Sequence, residues 1–185
     1  IKSMTKHFVK ILTALLVLTF SFTINLHSQT TKTGVLTMHD SIQMLSVNGL
    51  ITSVYDLISG PAGPRNWEKL RAFCLPSATF ISIKIRPDGA EEYFNGTMDD
   101  YIEMISPVLE NTDYYENEIE RSVQSSDNIA NVFSTYESFL YEKEATINQR
   151  GVNSFQMIFL NKRWWIANIL WKNEPMEMRF PYGNE

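Results

Sequence analysis

The chain has 185 residues, 44% of them hydrophobic, with 16 basic and 21 acidic side chains and a net charge of −5. That length buries one sizeable core and leaves too little for two ordinary domains. The acidic balance sets the surface against nucleic acid and anionic lipid, and a single cysteine, Cys74, excludes an internal disulfide.

At the amino terminus Lys2, Lys6 and Lys10 precede an apolar run from Ile11 to Phe22, followed by a polar stretch that includes Ser28 and Gln29. This is the pattern of a signal peptide over residues 1–28, with cleavage expected after Ser28. The apolar run falls short of the roughly 20 residues that span a bilayer, so no stable membrane anchor is expected after cleavage. The mature chain would then be secreted or periplasmic, with 13 basic against 21 acidic residues and a net charge of −8. Residues 29–40, polar and without apolar period, read as a flexible leader, residues 41–174 as the folded domain and residues 175–185 as a C-terminal tail.

Within the domain, Val47, Leu50, Ile51, Val54, Leu57 and Ile58 recur at three- and four-residue steps and define one face of a first helix, which Gly60 and Pro61 stop. Asn66 caps a second, short helix carrying Trp67, Leu70 and Phe73, and Pro76 ends it. Residues 79–86 alternate as a strand, Pro87-Asp88-Gly89 is a turn, and Glu91 to Phe94 pairs back as a short arm. Thr97 and Asp100 start a third helix with Met98, Tyr101, Ile102 and Ile105 on its apolar face, its length limited by Pro107. Four strand-like runs follow: Tyr114 to Gln124, Ile129 to Tyr141, Gly151 to Leu160 and Arg163 to Trp171, with hairpin turns at residues 125–128 and 161–162. Three helices followed by an antiparallel meander predict an α+β fold, the helices packed on one face of a curved sheet.

This order of elements resembles the nuclear transport factor 2-like superfamily, which includes ketosteroid isomerases, scytalone dehydratase and SnoaL-like polyketide cyclases. The resemblance spans about residues 44–174. Four segments resemble an uncharacterised bacterial branch: Ser59 to Trp67 (SGPAGPRNW), Tyr115 to Ile119 (YENEI), Ile129 to Ser138 (IANVFSTYES), and Arg150 to Ser154 (RGVNS) leading into Arg163-Trp164-Trp165-Ile166. It implies a cone-shaped sheet with a cavity, the cystatin-like roll. Where relatives often carry a histidine after Ala130, this chain has Asn131, so no imidazole chemistry transfers to that position.

All three histidines, His7, His27 and His39, precede the domain, so histidine base catalysis and metal ligation are not expected, and no cofactor is implied. Cys74 reads as a small buried hydrophobe. Glu116, Glu118 and Glu120 alternate along one strand and would share one face, with Arg150 as an ion partner. Glu116 or Glu118 would serve as a base only in a dry pocket, with Tyr55 or Tyr136 as hydrogen-bond donor. Tyr55, Trp67, Tyr101, Tyr136 and Trp164, with the polar strand residues Asn131 and Asn153, are the candidates to line a ligand cavity. Trp165 and Trp171 share parity and are expected on the convex face, where they would support a homodimer.

Three functions stay open: an exported, non-catalytic small-molecule-binding domain, an isomerase, dehydratase or cyclase run by carboxylate and tyrosine, and a dimeric interaction module. The first leads, because aromatic surface is plentiful while histidine and metal ligands are missing.

Overall fold

The structure, a computed structural model, describes residues 36–86, 88–140 and 147–174. The expected signal peptide, the first part of the expected leader and the C-terminal tail lie outside the described residues. Among these the chain runs α1 (Met38–Gln43), α2 (Val47–Ile58), α3 (Trp67–Phe73), β1 (Cys74–Ile85), β2 (Glu91–Gly96), α4 (Met98–Asn111), β3 (Tyr115–Ser126), β4 (Ile129–Phe139), β5 (Gln149–Leu160) and β6 (Arg163–Asn173).

The six strands form one sheet in the order β2-β1-β6-β5-β4-β3. All neighbours are antiparallel except β1 and β6, which pair in parallel. The sheet is therefore mixed rather than wholly antiparallel. The meander β3–β6 ends beside β1, the first strand of the chain, to which no hairpin joins it, so that pair is not constrained to the antiparallel sense. Two-residue turns join β3 to β4 and β5 to β6, with Asp127, Asn161 and Lys162 at positive φ, as tight primed turns require.

Ser46 caps α2 by accepting the Gly49 N–H at 3.0 Å. The helix buries Leu50, Ile51, Val54, Tyr55 and Leu57 against the inward side chains of the sheet, among them Val132, Tyr136, Phe155, Met157, Ile166 and Ile169. Leu70 and Phe73 of α3 complete this core. Each such side chain, fully buried, contributes about 2 kcal/mol.

Part of the expected leader is helical. Thr37 and Asp40, expected in the flexible leader, form a capping box that starts α1, and Asp40 is buried against Lys69 at 2.5 Å. Nor does Pro107 end α4, which continues to Asn111. A proline removes one backbone donor, and Leu109 beyond it is buried, which holds the last turn in place.

Two bulges decide which side chains face inward. In β3, Glu118 pairs with Tyr136 but Glu120 with Thr135, so Ile119 is the extra residue. In β6, Met157 pairs with Ile166 but Gln156 with Asn168, so Ala167 is extra. Beyond each bulge the side-chain alternation reverses.

Candidate functional site

The loop after α2 sets the site. Arg65 folds back along it and donates to the carbonyls of Ile58, Gly60, Pro61 and Gly63 at 2.9–3.0 Å. Gly60, at φ +150°, a value that side chains rarely permit, exchanges backbone hydrogen bonds with Tyr114 at 2.7 and 3.0 Å. The Ser59 hydroxyl accepts the Glu116 N–H at 3.0 Å. The segment from Ser59 to Trp67 is thus a riveted loop that fixes the start of β3, and with it Tyr114 and Glu116.

Between the inward face of the sheet and the helices lies a cavity of about 290 Å³, at the lower edge of the roughly 300–1,000 Å³ usual for small-molecule sites. One wall is the α4 stripe Tyr101, Met104, Ile105, Val108 and Leu109, at helical spacing; Met104 and Val108 are exposed and form its rim. Val54 and Ile58 of α2 and Leu70 of α3 close another side. The sheet contributes Phe80, Phe155, Ile169 and Trp171 as apolar floor, and Tyr136, Gln149, Asn153 and Asn173 as polar groups. Among the lining residues none is Lys, Arg or His, and Glu116 is the one carboxylate.

Glu116 is half-buried as a residue, yet its carboxylate end is shut from solvent. Oε1 accepts a hydrogen bond from the Tyr114 hydroxyl. Oε2 is buried and has no hydrogen-bond partner among the described residues. Burial pushes the carboxyl up to about 7, although the Tyr114 bond pulls the other way. An unsatisfied buried acceptor costs about 1–3 kcal/mol, and such a group in a cleft marks a candidate functional site.

The other expected acid behaves differently. Glu118 is gripped by Arg121, whose Nε and Nη2 donate at 2.7 and 2.5 Å. Ser134 also donates to Glu118, while Tyr55 and Ser134 are 2.6 Å apart and Asn153 donates to Tyr55 at 3.0 Å. Because the single Ser134 proton is committed to Glu118, the Tyr55 hydroxyl is the donor to Ser134. The chain Asn153–Tyr55–Ser134–Glu118–Arg121 is therefore a connected, satisfied network beside the cavity. Burial pushes the Tyr55 hydroxyl up to about 12, against these two hydrogen bonds.

Tyr136 donates to Asn173 Oδ1 at 2.5 Å, and Asn173 in turn donates to Gln149 at 2.9 Å. Gly151 makes room for this tyrosine, since a Cβ there would lie 2.5 Å from its hydroxyl. Tyr101 stacks on Phe80 at 4.8 Å and meets Trp171 edge-on at 5.7 Å. Burial raises the Tyr101, Tyr114 and Tyr136 hydroxyls further, and the nearby Glu116 charge adds to it.

Of the sequence candidates, the cavity brings together Glu116, Tyr101, Tyr136 and Asn153. Tyr55 and Glu118 belong to the supporting network. Trp67 packs edge-on against Tyr101 at 6.3 Å without reaching the cavity, and Trp164 packs against Phe159 at 5.4 Å. Asn131 is exposed on the outer face, because the buried parity of β4 is Ala130, Val132, Ser134, Tyr136 and Ser138. Glu116, Glu118 and Glu120 do not share a face: past the Ile119 bulge Arg121 takes the inward place. Arg150 pairs with Glu137 instead of an inward acid. Trp171, expected on the convex side, lines the cavity because the Ala167 bulge restores it to the parity of Ile169. Tyr114, Gln149 and Asn173 were missed and carry no local sequence signal, whereas Tyr101 and Ile105 on the opposite wall stood on a helical face that the sequence marks.

A curved mixed sheet wrapped on helices, with a cavity between them, defines an α+β roll. No family model matches the chain and no curated protein matches it. Solved structures do. A protein of unknown function with a cystatin-like fold from Nostoc punctiforme is 10% identical over 76% of this chain and 96% of its own, with a TM-score of 0.55. A nuclear transport factor 2-like protein of unknown function from Pseudomonas putida is 10% identical over 76% of this chain and 89% of its own, at a TM-score of 0.51. A protein of unknown function from Mycobacterium tuberculosis is 14% identical over 74% of each chain, at 0.54. The protein has the nuclear transport factor 2-like, cystatin-like fold, and it resembles members of that fold whose functions are themselves unknown.

Proposed function

We propose that the protein is an exported small-molecule-binding domain whose ligand occupies the cavity around Glu116. The observation that carries this is Glu116 Oε2, a buried acceptor with no partner among the described residues, facing a space large enough for a small organic molecule. The apolar and aromatic walls supply affinity, and Glu116, Gln149, Asn153 and Asn173 supply orientation. Export rests on the basic and apolar amino-terminal pattern alone. Ile105→Trp places a large ring in the cavity from α4. Ligands recovered from cell-envelope extract by native mass spectrometry should bind wild type and be lost from this variant, with circular dichroism unchanged. Equal retention by both proteins would place the ligand elsewhere and sink the reading.

A second reading, catalysis, is favoured by one observation: the Glu116 carboxyl is pushed up to about 7 beside tyrosine hydroxyls. A general base works best with its pKa near the operating pH. Tyr101, whose hydroxyl makes no hydrogen bond among the described residues, would be the donor to a developing oxyanion, since Tyr55 and Tyr136 are already committed. Hydrogen–deuterium exchange of cyclohexanone, followed by NMR, should then exceed the buffer rate and fall to it in Glu116→Gln. Exchange at the buffer rate in wild type would count against this reading.

For the outer sheet face we propose contact with a second copy of the chain. Phe133 and Ile129 are 59% and 56% exposed there, and the cross-strand row runs Phe133–Ser154–Leu170–Ile81.

A further inference from the structure

We infer that the cavity takes a small amine, bound as its ammonium ion, with Glu116 as the counter-ion. The inference rests on the reading of the cavity as a binding site and narrows its ligand class. No lysine, arginine or histidine lines the cavity. Of the arginines on the flanking segments, Arg121 is committed to Glu118, Arg150 bonds Glu137, and Arg65 donates to four backbone carbonyls. An anionic ligand would meet a like charge and no partner, which burial makes prohibitive.

Hydrogen bonding selects further. Oε1 of Glu116 is satisfied by Tyr114, and Oε2 is not satisfied at all. When Glu116 is ionised, a ligand that satisfies the site must therefore bring a donor to Oε2. An alcohol brings a donor but leaves the buried carboxylate charge uncompensated, whereas an ammonium supplies donor and charge together. The walls suit a cation as well. Tyr101, Tyr114, Tyr136 and Trp171 line the same space, and electron-rich rings attract a desolvated ammonium.

The groups that face Glu116 are Tyr114, Tyr136 from β4, Tyr101 from α4 and Tyr55 from α2, with the Glu118–Arg121 ion pair next along β3. Burial raises all four tyrosine hydroxyls, so beside them it is Glu116 that changes charge between pH 6 and 8. Amine affinity must rise across that interval as Glu116 ionises, and alcohol affinity must not.

The test is isothermal titration of the full chain with three probes of similar shape: 2-phenylethylamine, 2-phenylethanol and 3-phenylpropionate. At pH 8 the amine should bind at least about tenfold more tightly than the alcohol, and the carboxylate should not bind. Between pH 8 and pH 6 the amine should weaken about tenfold, the loss set by protonation of a carboxyl near 7. Glu116→Gln should abolish that pH dependence and remove the preference for amine over alcohol, since the ammonium would then be buried without a counter-ion. The wild-type comparison stands even if the variant folds poorly. If the alcohol matches the amine at pH 8, the amine inference is overturned while the binding site survives. If none of the three probes binds, both fall.

Discussion

Replacing Glu116 with glutamine should stabilise the protein at alkaline pH and leave it unchanged in acid. The amide is nearly the same shape and keeps an oxygen to accept the Tyr114 hydroxyl, but it never carries a charge. In wild type the carboxyl moves from 4.5 to about 7 on folding, through burial. At about 1.4 kcal/mol per tenfold change, that corresponds to about 3 kcal/mol. Because the folded-state value is raised, the folded protein holds this proton more tightly than the unfolded chain. The contribution is complete below about pH 4.5 and is lost as pH rises through 7. Urea denaturation of ligand-free wild type and Glu116→Gln at pH 5 and pH 8 isolates the effect, since other groups cancel in the difference. The variant should gain about 3 kcal/mol relative to wild type at pH 8, equivalent to roughly 10 °C in Tm, and much less at pH 5. A variant less stable than wild type at pH 8 would mean that the ionised carboxylate has a cationic partner and is not an unsatisfied acid.

Gly151→Ala should cost about 2 kcal/mol in chemical denaturation, because the new methyl would lie 2.5 Å from the Tyr136 hydroxyl and 2.9 Å from the Lys172 carbonyl; a neutral effect would show that Tyr136 moves aside freely. Asp40 is held at about 2, where the Lys69 and Thr37 hydrogen bonds outweigh the opposing effect of burial, so wild type should lose stability as pH falls from about 4 to about 2. Asp40→Asn should lack that step and be about 1–2 kcal/mol less stable at pH 7, a figure reduced for the partial exposure of Lys69; identical acid limbs would refute it. Phe133→Lys should shift the mass measured by light scattering from dimer to monomer, and an unchanged mass would remove this face from the contact.

Much of this fold was legible because its helices and turns carry local signals. The three- and four-residue spacing from Val47 to Ile58 specifies α2 and its buried face, and the short polar turns at Asp127-Asn128 and Asn161-Lys162 sit where the strands reverse. What stayed hidden was parity. Nothing in the composition around Ile119 or Ala167 marks an extra residue, so strict alternation put Glu120 with Glu118 and sent Trp171 to the wrong side. The short helix α1 carries less than two turns of pattern, although Thr37 and Asp40 at capping-box spacing were a readable start signal. Glu116 could be named from its strand, but its isolation could not. That depends on Arg121 being turned inward to Glu118, on Arg150 pairing with Glu137, and on Arg65 spending its donors on a loop.

Glu116 is buried without a cationic partner in a ligand-sized cavity. The direct measurement is a pH titration of the Glu116 side-chain carboxyl by 13C NMR in ligand-free protein, with Glu116→Gln to assign the signal. A midpoint at about 7 is predicted. A midpoint in the ordinary carboxylate range of about 4 to 5 would show the group solvated or ion-paired, and Glu116 would not be an isolated buried acid.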